Sequence, residues 1–190
     1  IFESPSFINL VKNMEYDTIY HEHLLYLSLR PVINFFKQFD MEVFDIENYP
    51  IHGGSFRVFI ARKGEFSISS SILKQLKQEK IAKIHSLKTL KEFAQKVAKN
   101  RNDLMNFIQK LKNQGKKIAI ISTPAKGMTL LNYCHIGPEH IDFATEKSKL
   151  KIGKFTPGTH IPILSDLELI KRKPDYALLL AWNFSKEIMK

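Results

Sequence analysis

The chain has 190 residues, 44% of them hydrophobic and 25% charged, which is typical of one globular domain, or one domain with an appendage, that buries a real core. Its single cysteine, Cys134, excludes an internal disulfide and a cysteine-rich zinc site, and fits the reducing cytoplasm. The sequence has no apolar run of membrane-spanning length and no signal-peptide pattern, so we expect a cytoplasmic protein without a membrane partner; because it begins at Ile1 and not Met, we also expect a fragment of a longer polypeptide.

The net charge of +10 is concentrated in one segment. Residues 74–117 hold thirteen of the 29 Lys and Arg residues but three of the nineteen acidic residues, which leaves the rest of the chain neutral. Apolar residues recur there at helical spacing, at Leu87, Leu90, Ala94, Val97, Leu104, Ile108 and Leu111. A solvated amphipathic helix is favoured over a phosphate-binding surface. Few aromatic residues interleave with the lysines, so we expect no nucleic-acid partner.

Two helices are predicted near the start of the chain. Ser4 and Pro5 suit the N-cap and first turn of a helix that runs to about Met14. A second helix is predicted to start at Ser28 and Pro31. Its expected inward residues are Val32, Phe35, Phe36 and Phe39.

Between these helices, residues 16–23 bring a phenol, two imidazoles and a carboxylate close together. Burying such groups costs free energy unless each finds a partner, whereas a proton-transfer site uses all of them. In an extended strand, Tyr20 and Glu22 would face one way and His21 and His23 the other. We expect one histidine to act in chemistry while the other packs or holds the loop. Both histidines could instead be satisfied by backbone carbonyls. A metal pair is disfavoured because no second cluster completes a ligand shell.

The next elements are a pair of strands and two long helices. Strands are predicted at residues 41–46 and 55–61, because both segments are rich in Val, Ile and Phe and flank a loop containing Gly53-Gly54. Helices are predicted at residues 69–84 and 87–112.

From Gly115 onward, apolar runs alternate with helical segments. Strands are predicted at residues 118–121, 141–144 and 176–180, all of them buried, and helices at 128–133 and 167–170. Loops are expected at residues 146–154 and 157–162. This alternation predicts an α/β fold, with a Rossmann-like parallel sheet flanked by helices and preceded by a short helical or extended N-terminal segment.

The turn at residues 122–127 joins the first of these strands to its helix. It is neither a dinucleotide fingerprint nor a phosphate loop, since Gly127 is its one glycine. Backbone N–H groups at the start of the helix could hold a phosphate, with Lys126 as a point charge. Alternatively, the turn merely connects strand and helix.

Other candidate residues have structural alternatives as well. Arg57 is either a surface charge on an edge strand or an anion contact. His160 could simply pack its turn, and Trp182 is expected to be a core residue and not a stacking platform. Asn183 is expected to cap the final helix.

Five blocks of the sequence resemble a known family in the family's order. Residues 16–23 read Tyr-Asp-Thr-Ile-Tyr-His-Glu-His, and residues 52–58 read His-Gly-Gly-Ser-Phe-Arg-Val. Further blocks lie at residues 124–133, 157–163 and 175–183. Together they resemble S-adenosylmethionine-dependent sugar C-methyltransferases, which methylate carbon 3 of a nucleotide-linked 4-keto-deoxysugar.

The resemblance implies a mechanism. A base removes the acidic hydrogen beside a ketone, and the enolate carbon attacks the methyl group of the sulfonium. His23 is then the expected general base, with Glu22 and Tyr20 positioning the sugar or the histidine. The resemblance implies that the substrate side is lined by Ser55, Arg57, Lys126, Thr159 and His160.

The resemblance also implies a missing part. The family places an S-adenosylmethionine domain, usually with a zinc-binding module, ahead of the histidine motif. Residues 1–30 would then be the end of the methyltransferase core carrying the catalytic motif, and residues 31–190 the Rossmann-like substrate-binding domain. The expected partners are a nucleotide-linked sugar and the protein's own N-terminal S-adenosylmethionine-binding domain, which would also hold any zinc.

The sequence departs from the family pattern at three positions. Ser122-Thr123-Pro124 stands where the family usually has glycine before Ala-Pro-Ala-Lys, Met128 replaces asparagine, and Ala181 replaces proline before Trp-Asn. These departures affect the expected shape of the nucleotide pocket. The alternative function is a non-catalytic nucleotide-sugar or anion-binding module.

Overall fold

The structure is a computed structural model that describes the backbone of residues 1–190 and every side chain except that of His52. The side chain that opens the predicted His-Gly-Gly-Ser block therefore lies outside the described part. The chain divides into two compact units: unit 1 comprises residues 1–16 and 21–96, and unit 2 comprises residues 17–20 and 97–190. The predicted α/β fold with a parallel sheet is confirmed, and that sheet lies in unit 2.

Unit 1 is built on a three-stranded antiparallel sheet in the order β1-β3-β2. The strands are β1 (Phe2–Pro5), β2 (Met41–Tyr49) and β3 (Ser55–Arg62). The predicted strands at residues 41–46 and 55–61 are confirmed and pair with each other. β1 was not predicted, since its four residues contain a proline and show no alternation.

The helix predicted to begin at Ser4 and Pro5 starts later. Both residues lie in β1, and α1 (Phe7–Asn13) follows with Ser6 as its N-cap residue. Its predicted end at Met14 is confirmed by the left-handed C-cap there. Pro5 is tolerated in a strand because β1 is at the sheet edge, where a missing N–H disturbs least.

Two helices pack against β2 in unit 1: α2 (Leu29–Lys37) and α3 (Ser70–Ala82). The buried core beneath them consists of Leu29, Val32, Val43, Ile46, Phe56, Val58 and Ile72. The prediction that Phe35 and Phe39 face inward is wrong, because these side chains are 54% and 60% exposed. The two rings contact each other instead, at 5.2 Å between centroids.

Glu79 of α3 joins that helix to the start of α2. Its side chain is 2% exposed, and its Oε1 accepts a hydrogen bond of 2.6 Å from the backbone N–H of Leu29. Its Oε2 accepts from the N–H of Arg30 at 3.3 Å. The carboxylate thus serves two N–H groups that have no acceptor within their own helix, and its negative charge matches the helix dipole.

The long basic helix is α4 (Leu87–Asn113), and the boundary between the units falls within it, after Lys96. Its predicted apolar stripe is only partly buried: Ile108 and Leu111 lie in the core, whereas Leu87 is exposed. Among the described residues, no helix combines the length and apolar character required to cross a membrane.

Unit 2 contains the four-stranded parallel sheet, in the order β6-β5-β4-β7. Its strands are β4 (Ile118–Ile121), β5 (Phe143–Glu146), β6 (Ile163–Ser165) and β7 (Tyr176–Leu179). Its short helices are α5 (Ala125–Cys134), α6 (Leu167–Arg172) and α7 (Ser185–Ile188). β6 was not predicted, because it has three residues and directly follows a proline.

The prediction that the last strand is buried is wrong. β7 is an edge strand with one neighbour, β4, and its Tyr176 side chain is 44% exposed. The apolar sequence of residues 176–180 could not distinguish an edge from a centre. β4 is flanked by β5, which is reached through α5, and by β7, so the strand order reverses at β4. In open α/β sheets, ligands bind in the crevice at the carboxyl ends of the strands where the order reverses.

Replacing Glu79 by Gln should destabilise the protein by about 1.5 to 3 kcal/mol, the range for hydrogen bonds to a charged group, because one buried N–H then faces an amide donor. Urea unfolding at pH 7 would measure the change. The matched control is Glu92→Gln, whose ion pair with Lys88 at 4.0 Å is exposed and should contribute less than about 0.5 kcal/mol. Equal losses in both variants would contradict the role of Glu79.

Candidate functional site

The carboxyl ends of β4 and β5 are joined by Glu146. Its Oε2 accepts hydrogen bonds from the backbone N–H of Thr123 at 3.2 Å and from Thr123 Oγ1 at 2.8 Å. Lys151 Nζ lies 3.3 Å from the same oxygen and donates to the Thr123 carbonyl at 2.7 Å. Three elements, namely the β4–α5 turn, the end of β5 and the loop after it, are thereby held together at the edge where α/β proteins bind ligands.

The protonation of Glu146 reflects these contacts. Partial burial raises the pKa of the Glu146 carboxyl, but the hydrogen bonds from Thr123 and Lys147 and the charge of Lys151 outweigh it and lower the pKa to about 2. Glu146 is therefore a carboxylate at neutral pH. Its charge is already used by the chain's own donors.

A cavity of about 310 Å³ opens beside this junction. Its walls are mostly apolar, with Met128 of α5 and Phe155 among them, and Thr123, Lys151 and Lys154 supply polar groups. An apolar cavity with a few placed polar groups is the usual form of a small-molecule site.

A second cluster lies on the other side of β4, after β7. Lys126 Nζ donates to Asn183 Oδ1 at 2.6 Å and lies 3.9 Å from the centre of the Trp182 ring. Trp182 Nε1 donates to Asp17 Oδ2 at 2.7 Å. The ammonium group of Lys126 thus lies against an aromatic face whose orientation Asp17 fixes.

This cluster corrects two predictions. Trp182 is not a core residue, because it is only half-buried and its N–H is engaged by a carboxylate. Asn183 does not cap the final helix; Phe184 precedes α7 and no side chain caps it, while Asn183 accepts from Lys126. Asp17 was not predicted as a site residue. It belongs to the motif of residues 16–23, but its partner lies 165 residues away, so local spacing could not reveal their contact.

The loop at residues 156–161 carries two predicted substrate residues, Thr159 and His160. Thr156 Oγ1 and Thr159 Oγ1 are 2.7 Å apart, and the Ile161 N–H donates to Thr156 Oγ1 at 2.8 Å, so the loop closes on itself. His160 is exposed and has left-handed backbone geometry with a φ of 56°. Neither Thr159 nor His160 is among the residues that line the cavity.

Asn132 of α5 fixes the start of the same loop. Its Nδ2 donates to the Pro157 carbonyl at 3.1 Å and to the Met128 carbonyl at 2.8 Å. A Cβ on Gly158 would lie 2.0 Å from Asn132 Oδ1, and the φ of Gly158 is +79°. Glycine is therefore required for the loop to approach α5 this closely.

Ser55 and Arg57, also predicted as substrate residues, lie on β3 in unit 1. β3 is the central strand and not an edge strand, which corrects the placement expected for Arg57. Arg57 donates to Glu3 Oε2 at 2.8 Å and to the Tyr49 hydroxyl at 3.1 Å. Ser55 is buried and donates to the Ile51 carbonyl at 3.3 Å. Both side chains are engaged by neighbours within unit 1.

The histidine motif does not form a strand, so the predicted alternation of its side chains is wrong. Residues 16–18 form a 3₁₀ turn, and irregular structure follows up to α2. Glu22 and His21 are exposed, whereas His23 is half-buried with its ring 6.4 Å from that of Tyr26. Tyr20 is half-buried. The first three residues of the motif are buried, which leaves its polar second half accessible.

The predicted site residues are distributed over the two units. Unit 1 holds Glu22, His23, Ser55 and Arg57, and unit 2 holds Tyr20, Lys126, Thr159 and His160. Sequence reasoning missed Thr123, Glu146, Lys151 and Asp17. An available signal for Glu146 was its position two residues after the parallel strand predicted at 141–144. Across the described side chains, no group of three or more potential ligands is arranged to hold a metal ion.

Replacing Glu146 by Gln should destabilise the protein at pH 7 by about 1.5 kcal/mol, near the lower end for hydrogen bonds to a charged group. The folded pKa of about 2 lies below the ordinary 4.5, so the stabilisation is complete above pH 4.5 and is lost as the pH falls towards 2. The thermal unfolding temperatures of the unaltered protein and of Glu146→Gln should therefore converge as the pH is lowered from 7 to 2. The assignment would be refuted if the difference between Glu146→Gln and the unaltered protein did not change with pH. It would also be refuted if the exposed control, Glu187→Gln, showed an equal difference.

Comparison with known proteins identifies the family. Residues 50–190 match the family model of the C-methyltransferase C-terminal domain. Over 188 residues, or 98% of this chain, the sequence is 35% identical to the C-methyltransferase NovU of Streptomyces niveus, and it covers 45% of that protein. The chain thus spans about half the length of this curated relative. The resemblance seen in the motifs is confirmed: the chain belongs to the C-methyltransferase family, and residues 50–190 form its C-methyltransferase C-terminal domain.

Proposed function

We propose that this chain is the substrate-binding and proton-abstracting part of an S-adenosylmethionine-dependent C-methyltransferase that acts on a nucleotide-linked keto-deoxysugar. Membership of the family supports methyl transfer to carbon. The structural observation that carries the nucleotide-linked substrate is the crevice at β4, with Lys126 held over Trp182 on one side and the 310 Å³ cavity with Lys151 on the other. The fixed ammonium group of Lys126 beside an aromatic ring suits a phosphate group, and the mostly apolar cavity suits the base or sugar attached to it.

His23 is the proposed general base. A hydrogen on carbon next to a ketone is acidic enough for imidazole to remove, provided that the base is positioned and partly shielded from water. Half-burial beside the Tyr26 ring supports this assignment, because it restricts the imidazole without closing it off. Glu22 and Tyr20 are proposed to hold the sugar or orient the imidazole. The His23 imidazole accepts the proton and becomes an imidazolium.

The proposed substrate residues are given in the order in which their contacts support a role in binding. Lys126 is the leading phosphate contact, because Asn183 and Trp182 fix its ammonium group. Thr159 and His160 belong to a rigid loop that follows the cavity and are proposed to contact the sugar or the diphosphate. Ser55 and Arg57 are proposed to shape their part of the site, since their side chains already bind Ile51, Glu3 and Tyr49.

The methyl donor does not fit the parallel sheet of this chain. A Cβ on Gly127, in the first turn of α5, would lie 2.8 Å from the Cβ of Leu180, so this glycine serves packing and not a ligand. Glu146 ends the next strand, where an acid could meet a ribose, but both of its oxygens accept from the chain's own donors. We therefore assign the S-adenosylmethionine site, and any zinc site, to the part of the polypeptide that the relative has beyond this chain.

The first test replaces the base. In the full-length protein, His23→Ala should lower the rate of methyl transfer to a nucleotide-linked 4-keto sugar by about 10² to 10⁴-fold, the range for losing a general base. Substrate affinity, measured by calorimetry, should change by less than about twofold, because the imidazole acts on the reacting carbon.

The matched control is His21→Ala, which removes the exposed histidine of the same loop and should keep the rate within about fivefold. Near-normal turnover of His23→Ala would end the base assignment. A wild-type protein that binds nucleotide-linked sugar without transferring methyl would favour the non-catalytic binding module.

The second test separates binding from chemistry. Lys126→Gln should weaken binding of the nucleoside diphosphate by roughly tenfold, since one charge-assisted contact is worth about 1.4 kcal/mol or more, while the rate at saturating substrate changes little. Lys149→Gln, an exposed lysine in the loop after β5, is the control and should leave the affinity unchanged. Equal effects of the two variants would contradict a specific role for Lys126.

A further inference from the structure

Unit 1 contains a larger cavity that the proposed methyl transfer does not use. Its volume is about 540 Å³, and it lies where the start of α2, the end of α3 and the residues before α4 come together. Its cationic lining residues are Arg30, Lys80 and Lys83, and His85 lines it as well. None of these residues belongs to the histidine motif or to the carboxyl edge of the parallel sheet.

The charges at this cavity are unbalanced. Lys80 and Lys83 are exposed residues one turn apart at the end of α3, and Arg30 is exposed in the first turn of α2. The acid in the lining, Glu79, is buried and gives its oxygens to the backbone N–H groups of Leu29 and Arg30. Its Oε2 also lies 3.4 Å from His85 Nε2. Three cationic side chains against one carboxylate leave the lining with a net positive charge, which attracts an external anion.

Helix α4 contributes to the same cavity. Ser86 lines it and immediately precedes α4, and the Leu90 N–H bonds to the Ser86 carbonyl as in the first turn of a helix. The first N–H groups of a helix have no acceptor within that helix and carry a partial positive charge. Cationic side chains from α2 and from the end of α3 thus line the same cavity as the start of α4.

We infer that this cavity, lined by Arg30, Lys80, Lys83, His85 and Ser86, binds a small anion that carries one or two phosphate groups. A phosphate matches the combination of guanidinium, ammonium and backbone N–H donors. A nucleic-acid strand does not match, because the lining has no Phe, Tyr or Trp on which bases could stack. The inference gives two of the basic residues of segment 74–117, Lys80 and Lys83, a specific role. It is independent of the proposed methyl transfer.

The test measures pyrophosphate binding by calorimetry in the full-length protein. Lys126→Gln is present in every sample, so that the contribution of the proposed nucleotide site is weakened and is the same in every comparison. Adding Lys80→Gln and Lys83→Gln should weaken pyrophosphate binding at least tenfold. The matched control, Lys74→Gln with Lys77→Gln, removes the same charge from exposed positions of the same helix that do not line the cavity, and should change affinity less than twofold.

Several outcomes would overturn the site: no measurable pyrophosphate binding in the Lys126→Gln background, no effect of the Lys80 and Lys83 changes, or equal weakening by both pairs. Equal weakening would mean diffuse attraction by the basic segment, and displacement of pyrophosphate by a single-stranded oligonucleotide in both pairs would indicate a nucleic-acid surface. Arg30→Gln, on a different helix, should reproduce the loss, and circular dichroism checks that each variant is folded.

The source of the phosphate is distinguished by a second titration. A nucleoside diphosphate that binds the Lys126→Gln protein as tightly as pyrophosphate supports a site for phosphate groups alone. A nucleoside diphosphate that binds at least tenfold more tightly, with that advantage lost in the Lys80→Gln, Lys83→Gln protein, supports a nucleotide as the occupant.

Discussion

The hydrogen bonds between Glu146 and Thr123 hold together the part of unit 2 on which its candidate site depends. Parallel strands bring their carboxyl ends to one edge, but the turns that leave that edge need a further constraint to stay together. Here one carboxylate ties the end of β5 to the turn after β4, and Lys151 adds the following loop to the same junction. The apolar cavity and the helix start with Lys126 are positioned by that junction.

Much of the architecture could be predicted because it depends on local patterns. The run of apolar residues in β4, the strand character of β2 and β3, and the helical spacing in α4 are properties of short segments, and each of these elements was predicted. The errors arose where tertiary partners decided. Residues 2–5 form a strand because β3 offers them an edge, and Phe35 and Phe39 are exposed although their spacing is that of a buried helix face.

The candidate site was predictable to a different degree. The histidine motif is conspicuous in composition, and its similarity to a family gave its residues roles that spacing alone could not. Its conformation was mispredicted, since alternating side chains suggested a strand and the segment is a turn followed by irregular structure. The contact of Asp17 with Trp182 was beyond sequence reasoning, because the two residues lie in different blocks, 165 residues apart, and only the fold brings them together.

The separation of those two residues bears on how the protein is made. The ribosome synthesises a polypeptide from its amino end, so Trp182 is added 165 residues after Asp17. Until Trp182 is added, the Asp17 carboxylate lacks its indole donor and Lys126 lacks its aromatic neighbour. Contacts of such large sequence separation form late, after shorter loops have closed. Nascent chains of this protein should therefore acquire their long helices well before they acquire a competent crevice at β4.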